Sequence, residues 1–301
     1  MNSFLIKGLF YQKLNSPLLS SNSSISDTMA HFSGKVGGQA RQLLDLVPDV
    51  SPESISGHYL CSTIVNTCFT VGDIKVSNFN NSVAEIISHP IPVAFINAYE
   101  CASWGYAIRY HLQKHPDTRF VLISVIDANV YNFEFWIYNE NWEHSGFGIT
   151  TLLIEKVSEN KDGLITGFAS GHNTMMAFAI AIRKAAVNYP GNTITLPLFP
   201  QRIRQMLESV LNKYNVLPND HKQWGHCFGS DPWLSILNNT PLDSSGKPLE
   251  SSYLACSLAL NGYYSMLEAA VNPDTILMLD RNLSNQVRFG SGYANNPNAN
   301  K

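Results

Sequence analysis

Between Phe95 and Asp127 the chain reads FINAYECASWGYAIRYHLQKHPDTRFVLISVID, and this stretch limits the choice of fold more than any other. An apolar run stops at Glu100–Cys101, and a mostly apolar segment of helical character continues to about Leu112. The His115–Pro116 step ends it, because the residue before a proline is driven out of the helical region. The run Phe120–Ile126 is β-branched and apolar with little alternation, the pattern of a strand buried on both faces. Strand, buried helix and buried strand in one short stretch predict an α/β architecture whose sheet is covered by helices on both faces.

Cys101 stands at the junction of the first strand and the helix. The unpaired N–H groups and the dipole of a helix start favour an anion, so a thiolate forms more easily there. The other reading is structural: a buried cysteine is commonly a small hydrophobe. The rest of the chain decides between them.

With 301 residues, of which 45% are hydrophobic, the chain can bury a substantial core in one large or two medium domains. Only 14% of residues are charged, which points to much buried or interfacial surface. The formal net charge of −3 carries no basic signature and argues against a nucleic-acid partner. The five cysteines, Cys61, Cys68, Cys101, Cys227 and Cys256, form no C-x-x-C pair. They read as free thiols of a reducing cytosol, with neither a disulfide framework nor a zinc site. Lys7 interrupts what would be the apolar core of a signal peptide, and no run of eighteen apolar residues occurs. The expectation is a cytoplasmic protein with no membrane partner.

In chain order, the patterning predicts strands over 3–12, 59–67, 93–98, 120–126, 148–155, 275–280 and 286–289, with a possible short strand over 222–228. Helices are expected over 35–46, 82–88, 102–112, 174–187, 200–214 and 255–271, with a helical turn over 231–237. Sliding the chain by 157 residues lays Ala98–Thr118 on Ala255–Thr275 without a gap. Seven of those 21 positions are identical, including Gly105/Gly262, Tyr106/Tyr263 and the triplet Pro116–Thr118 on Pro273–Thr275. Both copies read as a buried helix ended by Pro-Asp-Thr and followed by a strand. Upstream the match fades to Leu60/Leu217 alone, so it is confined to one unit. The chain reads as duplicated, with halves 1–160 and 161–301.

A duplicated α/β chain with a cysteine heading the first half's central helix resembles the thiolase-like superfamily, and within it the β-ketoacyl-acyl-carrier-protein synthases of type III. AYECASWGYAI resembles the nucleophile segment of that family, and HSGFGITTLLIE is similar to the segment closing its first half. WGHCFGSDPWLSIL sits where the family has its His-Gln-Ala-Asn motif, with His226 lying 125 residues after Cys101. SSYLACSLAL resembles its Gly-Asn-Thr-Ser-Ala-Ala-Ser segment. The resemblance implies two duplicated βαβαβαββ halves packed as a five-layer αβαβα sandwich.

It also implies roles. Cys101 would accept an acyl group as a thioester, and His226 would serve as base and oxyanion donor. Ser252 would stand in place of the family's catalytic asparagine, with one donor where the amide has two. Arg281–Asn285 would replace a glycine-rich loop. The implied activity is a ketosynthase-III-like acyltransferase of polyketide or fatty-acid type, acting most naturally by Claisen condensation with a malonyl or β-ketoacyl thioester. The acyl group would come from coenzyme A or an acyl carrier protein, with no bound cofactor or metal. The partners would be that carrier and a second subunit, in a homodimer or in a heterodimer with a ketosynthase-like chain. Loss of the asparagine leaves two alternatives: a non-catalytic subunit of a heterodimer, or transfer to an oxygen or nitrogen nucleophile.

Other residues carry open readings. Glu100 is either an orienting acid or a helix cap, and Asp231 reads as a cap for the turn into Trp233–Leu237. Phe133, Phe135, Trp136, Tyr138 and Trp142 could line an acyl tunnel or a subunit interface. Arg202, Arg204 and Lys213 either face an acidic carrier or form a solvated face.

Overall fold

The computed structural model describes residues 3–14, 24–157, 163–171 and 173–280, with residue 66 and the segments 286–289 and 292–295 described by backbone alone. The first half runs β1 (Phe4–Lys13), α1 (Ile25–Asp45), β2 (Ile55–Cys61), α2 (Asn66–Thr70), α3 (Val76–Ile87), β3 (Pro92–Ile96), α4 (Ser103–Lys114) and β4 (Phe120–Asp127). An insert of α5 (Glu134–Ile137) and the small hairpin β5 (Tyr138–Asn139) and β6 (Glu143–His144) precedes β7 (Gly148–Lys156). The strands lie in the order β3-β2-β4-β7-β1. Strands β3, β2 and β4 are mutually parallel, and β7 runs antiparallel to both β4 and β1.

The second half runs β8 (Leu164–Phe168), α6 (Thr174–Asn188), β9 (Thr193–Ile194), α7 (Gln201–Val210), α8 (His221–Trp224), α9 (Asp231–Asn239), β10 (Ser251–Leu258) and β11 (Tyr263–Val271). Its strand order is β9-β10-β11-β8, with β9 parallel to β10 and β11 antiparallel to β10 and β8. This is the topology of the first half without its third strand. The place of that strand is marked by a single parallel bridge, Ile194 to Val216. β12 (Ile276–Asp280), β13 (Gln286–Phe289) and β14 (Gly292–Asn295) extend the sheet beyond β1. Pairing of Phe4 and Leu5 with Ala269 and Ala270 joins the two halves into one 12-stranded sheet.

Helices α4 and α9 lie between the two halves. α4 packs on β2 and β4 on one side and on β8 and β11 on the other, while α9 packs on β1, β10 and β12. A helix buried on two sides needs small or apolar residues around most of its girth. Ser103, Trp104, Gly105, Ala107, Ile108 and His111 of α4 are all buried. Gly105 is required here, because a Cβ would lie 2.3 Å from Ser265 Oγ on β11. Trp104 crosses Trp233 of α9 edge to face at 4.8 Å and donates its indole N–H to Ser257 Oγ at 2.9 Å. Helices α1 and α3 cover the outer face of the first half, and α6 and α7 that of the second. The layers are therefore αβαβα.

The strand expected over 59–67 ends at Cys61 and gives way to the turn into α2, and two further sequence expectations fail. Residues 255–271 form no helix: they are the end of β10, a turn at Ala259–Gly262 with Gly262 at φ 89°, and β11. An apolar run of this length has no period that separates a helix from two buried strands, and a turn glycine needing positive φ decides it. The possible strand over 222–228 is instead the end of α8 and the start of a 3₁₀ turn, with one bridge from His226 to Ser145. Among the described residues, no helix is long and apolar enough to cross a membrane.

Candidate active site

Cys101 lies in a 3₁₀ turn, Glu100–Ala102, that leads into α4. Glu100 adopts a φ of 46°, in the left-handed region that non-glycine residues seldom occupy. The β10–β11 turn holds the bend. Asn261 donates its backbone N–H to Glu100 Oε2 at 3.3 Å and its amide to Ala98 O at 3.2 Å. Ser265 Oγ donates to Ala102 O at 2.7 Å. Glu100 thus acts through its backbone shape and this bond.

The second half builds the same device. A 3₁₀ turn, Phe228–Ser230, leads into α9, and Phe228 adopts a φ of 52°. Phe228 follows Glu100, Gly229 follows Cys101 and Asp231 follows Ser103, each by 128 residues. The two turns touch: a Cβ on Gly229 would lie 3.3 Å from Cys101 O and 2.9 Å from Val125 Cγ1. Gly229 therefore occupies the position facing the thiol's own turn, and a side chain there would force Val125 and the Cys101 carbonyl to shift.

Asp127, the last residue of β4, ties the second turn to the loop after β2. Its Oδ1 accepts the Thr63 N–H at 2.8 Å and the Ser62 hydroxyl at 3.4 Å, and its Oδ2 accepts the Gly229 N–H at 3.3 Å. Burial pushes its carboxyl up to about 7, outweighing those N–H groups and nearby His226, which act to lower it. Nothing in the sequence reading singled out Asp127, since it ends a strand like any other polar residue.

The electrostatics at Cys101 oppose the expectation of an eased thiolate. The residue is 2% exposed. Burial pushes the thiol well above its ordinary range, and the Asp127 carboxylate adds to this, with smaller contributions from Glu100 and Asp231. Only Thr63 acts the other way, its Oγ1 donating to Sγ at 3.6 Å. Desolvation outweighs the helix start, and Cys101 rests as a thiol.

His226 comes from the loop between α8 and the second turn. Its backbone is stitched to the insert: its N–H donates to His144 O at 3.0 Å, and its carbonyl accepts from Gly146 at 3.0 Å. Its ring is sandwiched among Phe228 at 4.8 Å, Phe199 at 5.1 Å and Trp142 at 5.7 Å. Nδ1 lies 2.6 Å from Asp231 Oδ2, an ion-pair distance without the alignment of a hydrogen bond. That contact leaves Nε2 as the ring nitrogen available to the pocket. Asp231 is fully buried and heads α9, yet its carboxylate turns back. It accepts the Cys227 N–H at 2.6 Å and the Leu198 N–H at 2.9 Å. The sequence reading made it a helix cap; its contacts make it the orienting group for His226. The signal available was an acid five residues after the histidine, immediately before Pro232.

Cys101 and His226 line one cavity of about 180 Å³, between the halves and beneath the insert. Its walls are otherwise mostly apolar, with Trp142, Met175, Phe199 and Phe228 prominent and Asn141 at the insert side. Trp142 is buried against this cavity, whereas Phe133, Phe135 and Tyr138 are exposed on the insert. Trp136 packs between them, against Trp142 and Phe228. Of the five aromatics, Trp142 is thus the one that lines the pocket.

Ser252 is not brought to this site. It lies second in β10, opposite Ala270, while Leu258 at the other end of that strand lines the cavity. Six residues of strand separate them by roughly 20 Å. The segment SSYLACSL is a strand of the second half, and the residue equivalent to Cys101 is Gly229. The loop Arg281–Asn285 lies outside the described residues. Arg204 is buried, paired with Glu208 at 2.7 Å and bonded to Leu217 O, so it braces α7 and offers no charge to a carrier. Arg202 and Lys213 are exposed.

No protein-family model matches the sequence, and no curated protein matches it either. Solved structures do. The priming β-ketosynthase of the R1128 polyketide biosynthetic pathway superposes with a TM-score of 0.60 at 9% identity, covering 91% of this chain and 97% of that one. The 3-oxoacyl-(acyl carrier protein) synthase III of Pseudomonas aeruginosa PAO1 gives 0.61 at 11% identity, covering 90% and 98%. The tetronic acid condensing enzyme AbyA1 gives 0.60 at 9%, covering 89% and 100%. At such identities the likeness is one of fold. The chain has the thiolase-like α/β fold of the ketosynthase III structures across most of its length.

Proposed function

We propose that the chain is a ketosynthase-III-like acyltransferase in which Cys101 carries the acyl group. The observation that carries this reading is the meeting of Cys101 and His226 on one apolar cavity, with Asp231 against the far nitrogen of the imidazole. Because the thiol is held protonated, its proton must leave as the sulfur attacks. His226 Nε2 takes that proton while Sγ adds to the carbonyl of a coenzyme A or acyl-carrier-protein thioester. The intermediate collapses, the carrier thiol departs with the proton, and the acyl group remains on Sγ. In the condensing step, a malonyl thioester loses carbon dioxide, its enolate carbon attacks the Cys101 thioester, and the cysteine sulfur leaves as a thiolate that takes a proton from solvent. The cavity is smaller than ordinary ligand pockets of about 300–1,000 Å³, which favours a short acyl chain. All five cysteines are free and buried, which accords with work in a reducing cytosol, alone or beside a ketosynthase-like subunit.

Intact-mass measurement after incubation with acetyl-, butyryl- and octanoyl-coenzyme A tests the proposal. The expected result is one acyl adduct per chain with the shorter donors, absent in Cys101→Ala and slowed by about a hundredfold or more in His226→Ala. No adduct on the natural protein, or an equal adduct on Cys101→Ala, would sink it. The raised Cys101 thiol and the side-chain-free Gly229 favour a second reading, a non-catalytic subunit that completes a heterodimer; that reading expects no adduct at all. Transfer to an oxygen or nitrogen acceptor would keep the adduct and fail only in the condensing step.

A further inference from the structure

Next to the cavity, on its outer side, two chain segments bring Glu143, His144 and His221 together. One nitrogen from each imidazole and one carboxylate oxygen all lie within 4.8 Å of one another. Glu143 and His144 form β6 of the insert, and His221 opens α8. The imidazoles of His144 and His221 approach to 4.6 Å between centroids. His221 is buried and its Nε2 lies 2.8 Å from Trp142 O. A carbonyl oxygen can only accept, so Nε2 carries the proton and Nδ1 of the neutral ring holds a lone pair. A ring tied through one N–H to a backbone carbonyl, with the lone pair of its other nitrogen left to donate, is how metal-ligating histidines are held. Among the described residues, neither the Glu143 carboxylate nor the His144 imidazole has a hydrogen-bond or ion-pair partner.

We propose that Glu143, His144 and His221 bind a divalent transition-metal ion of the zinc type, which clamps the insert hairpin to the segment carrying His226. Two imidazoles and one carboxylate suit zinc, cobalt or nickel, with water completing the shell, and suit magnesium or calcium poorly because those ions prefer oxygen throughout. The clamp would act through Trp142 and His144. The Trp142 carbonyl holds His221 while its ring lines the cavity, and the His144 carbonyl holds the backbone of His226. The ion would sit outside the cavity and fix one wall of it.

The test is a titration of chelator-treated full-length protein with Co²⁺, followed by its visible absorption, and with Zn²⁺ in competition. Melting curves are recorded alongside. The expected result is one ion per chain, a rise in Tm with excess Zn²⁺, and no displacement of Co²⁺ by Mg²⁺. His144→Ala and Glu143→Gln, both at exposed positions, should each weaken Co²⁺ by about tenfold or more and abolish the Tm rise. His115→Ala, at the other close histidine pair, should change neither. Absent binding, equal binding in His144→Ala, or displacement by Mg²⁺ would overturn the proposal. The choice of exposed ligands keeps the test valid where a His221 variant simply fails to fold.

Discussion

The turn that carries Cys101 and the turn that carries Gly229 are the same backbone built twice, and they have been put to opposite uses. Each is a 3₁₀ turn entered through a residue with positive φ and continued by a helix of the central layer. The first presents a thiol. The second has no side chain at the matching position and gives its N–H to Asp127, while the residues around it supply His226 three positions earlier and Asp231 two positions later. A duplicated frame thus does not duplicate chemistry. One copy holds a buried thiol, and the other holds the His226 imidazole and the buried Asp231 carboxylate that lies against it.

The largest effect should come from giving the second turn a side chain. In Gly229→Val the new Cβ would meet Val125 Cγ1 at 2.9 Å and the Cys101 carbonyl at 3.3 Å, and the latter is backbone that cannot turn aside. Overpacking of this kind costs about 1–3 kcal/mol. The urea midpoint should fall accordingly, and alkylation of Cys101 by iodoacetamide should change in rate because its turn has been displaced. An unaltered midpoint and an unaltered rate would mean that the two turns do not share packing.

Asp127 offers a sharper probe, because it bonds to one turn and repels the thiolate of the other. Its carboxyl is raised from the usual carboxylate range to about 7 in the folded chain. Between about pH 4 and pH 7 the folded state keeps a proton that the unfolded state has lost. Stability from this group is therefore present in full below pH 4 and declines as pH rises towards 7, by a few kcal/mol at most. Asp127→Asn should flatten that decline. It should also bring the Cys101 thiol down, moving the pH profile of alkylation to lower pH, since a buried carboxylate no longer opposes the thiolate. A profile that stays in place or moves upward would remove Asp127 from the electrostatics of the site.

What the sequence disclosed follows from which physical signals are local. The buried strand Phe120–Asp127, the helix closed by His115–Pro116 and the thiol between strand and helix are all set by neighbours in the chain. The duplication was legible in kind and misplaced in register. The 157-residue match rests partly on Pro116–Thr118 and Pro273–Thr275, and both triplets make the same turn: Thr118 N–H bonds to His115 O, and Thr275 N–H to Asn272 O. Similar turns before strands produced similar residues on unrelated elements, α4 and β11. The register that relates the two turns and the starts of their helices in space is 128, and over residues 100–108 it leaves only Ile108 on Ile236 identical. Where packing conserves a backbone path and not a composition, sequence comparison of the halves has nothing to detect. Asp127 and Asp231 were missed for a related reason: their roles are set by contacts with residues distant in the chain or by a carboxylate turning back on its own turn.

The smallest effect is expected at the position that the mistaken register selected. Ser252 lies roughly a strand's length, about 20 Å, from the cavity end of β10. Ser252→Ala should leave acyl-adduct formation at the natural rate. A parallel measurement on Asn141→Ala gives the contrast, because Asn141 lines the cavity itself. Should Ser252→Ala slow the adduct while Asn141→Ala does not, then the 128-residue register is the wrong one, and the oxyanion donor has to be sought along β10. Should the reverse hold, the insert supplies the polar contact that the second turn, with its bare glycine, cannot.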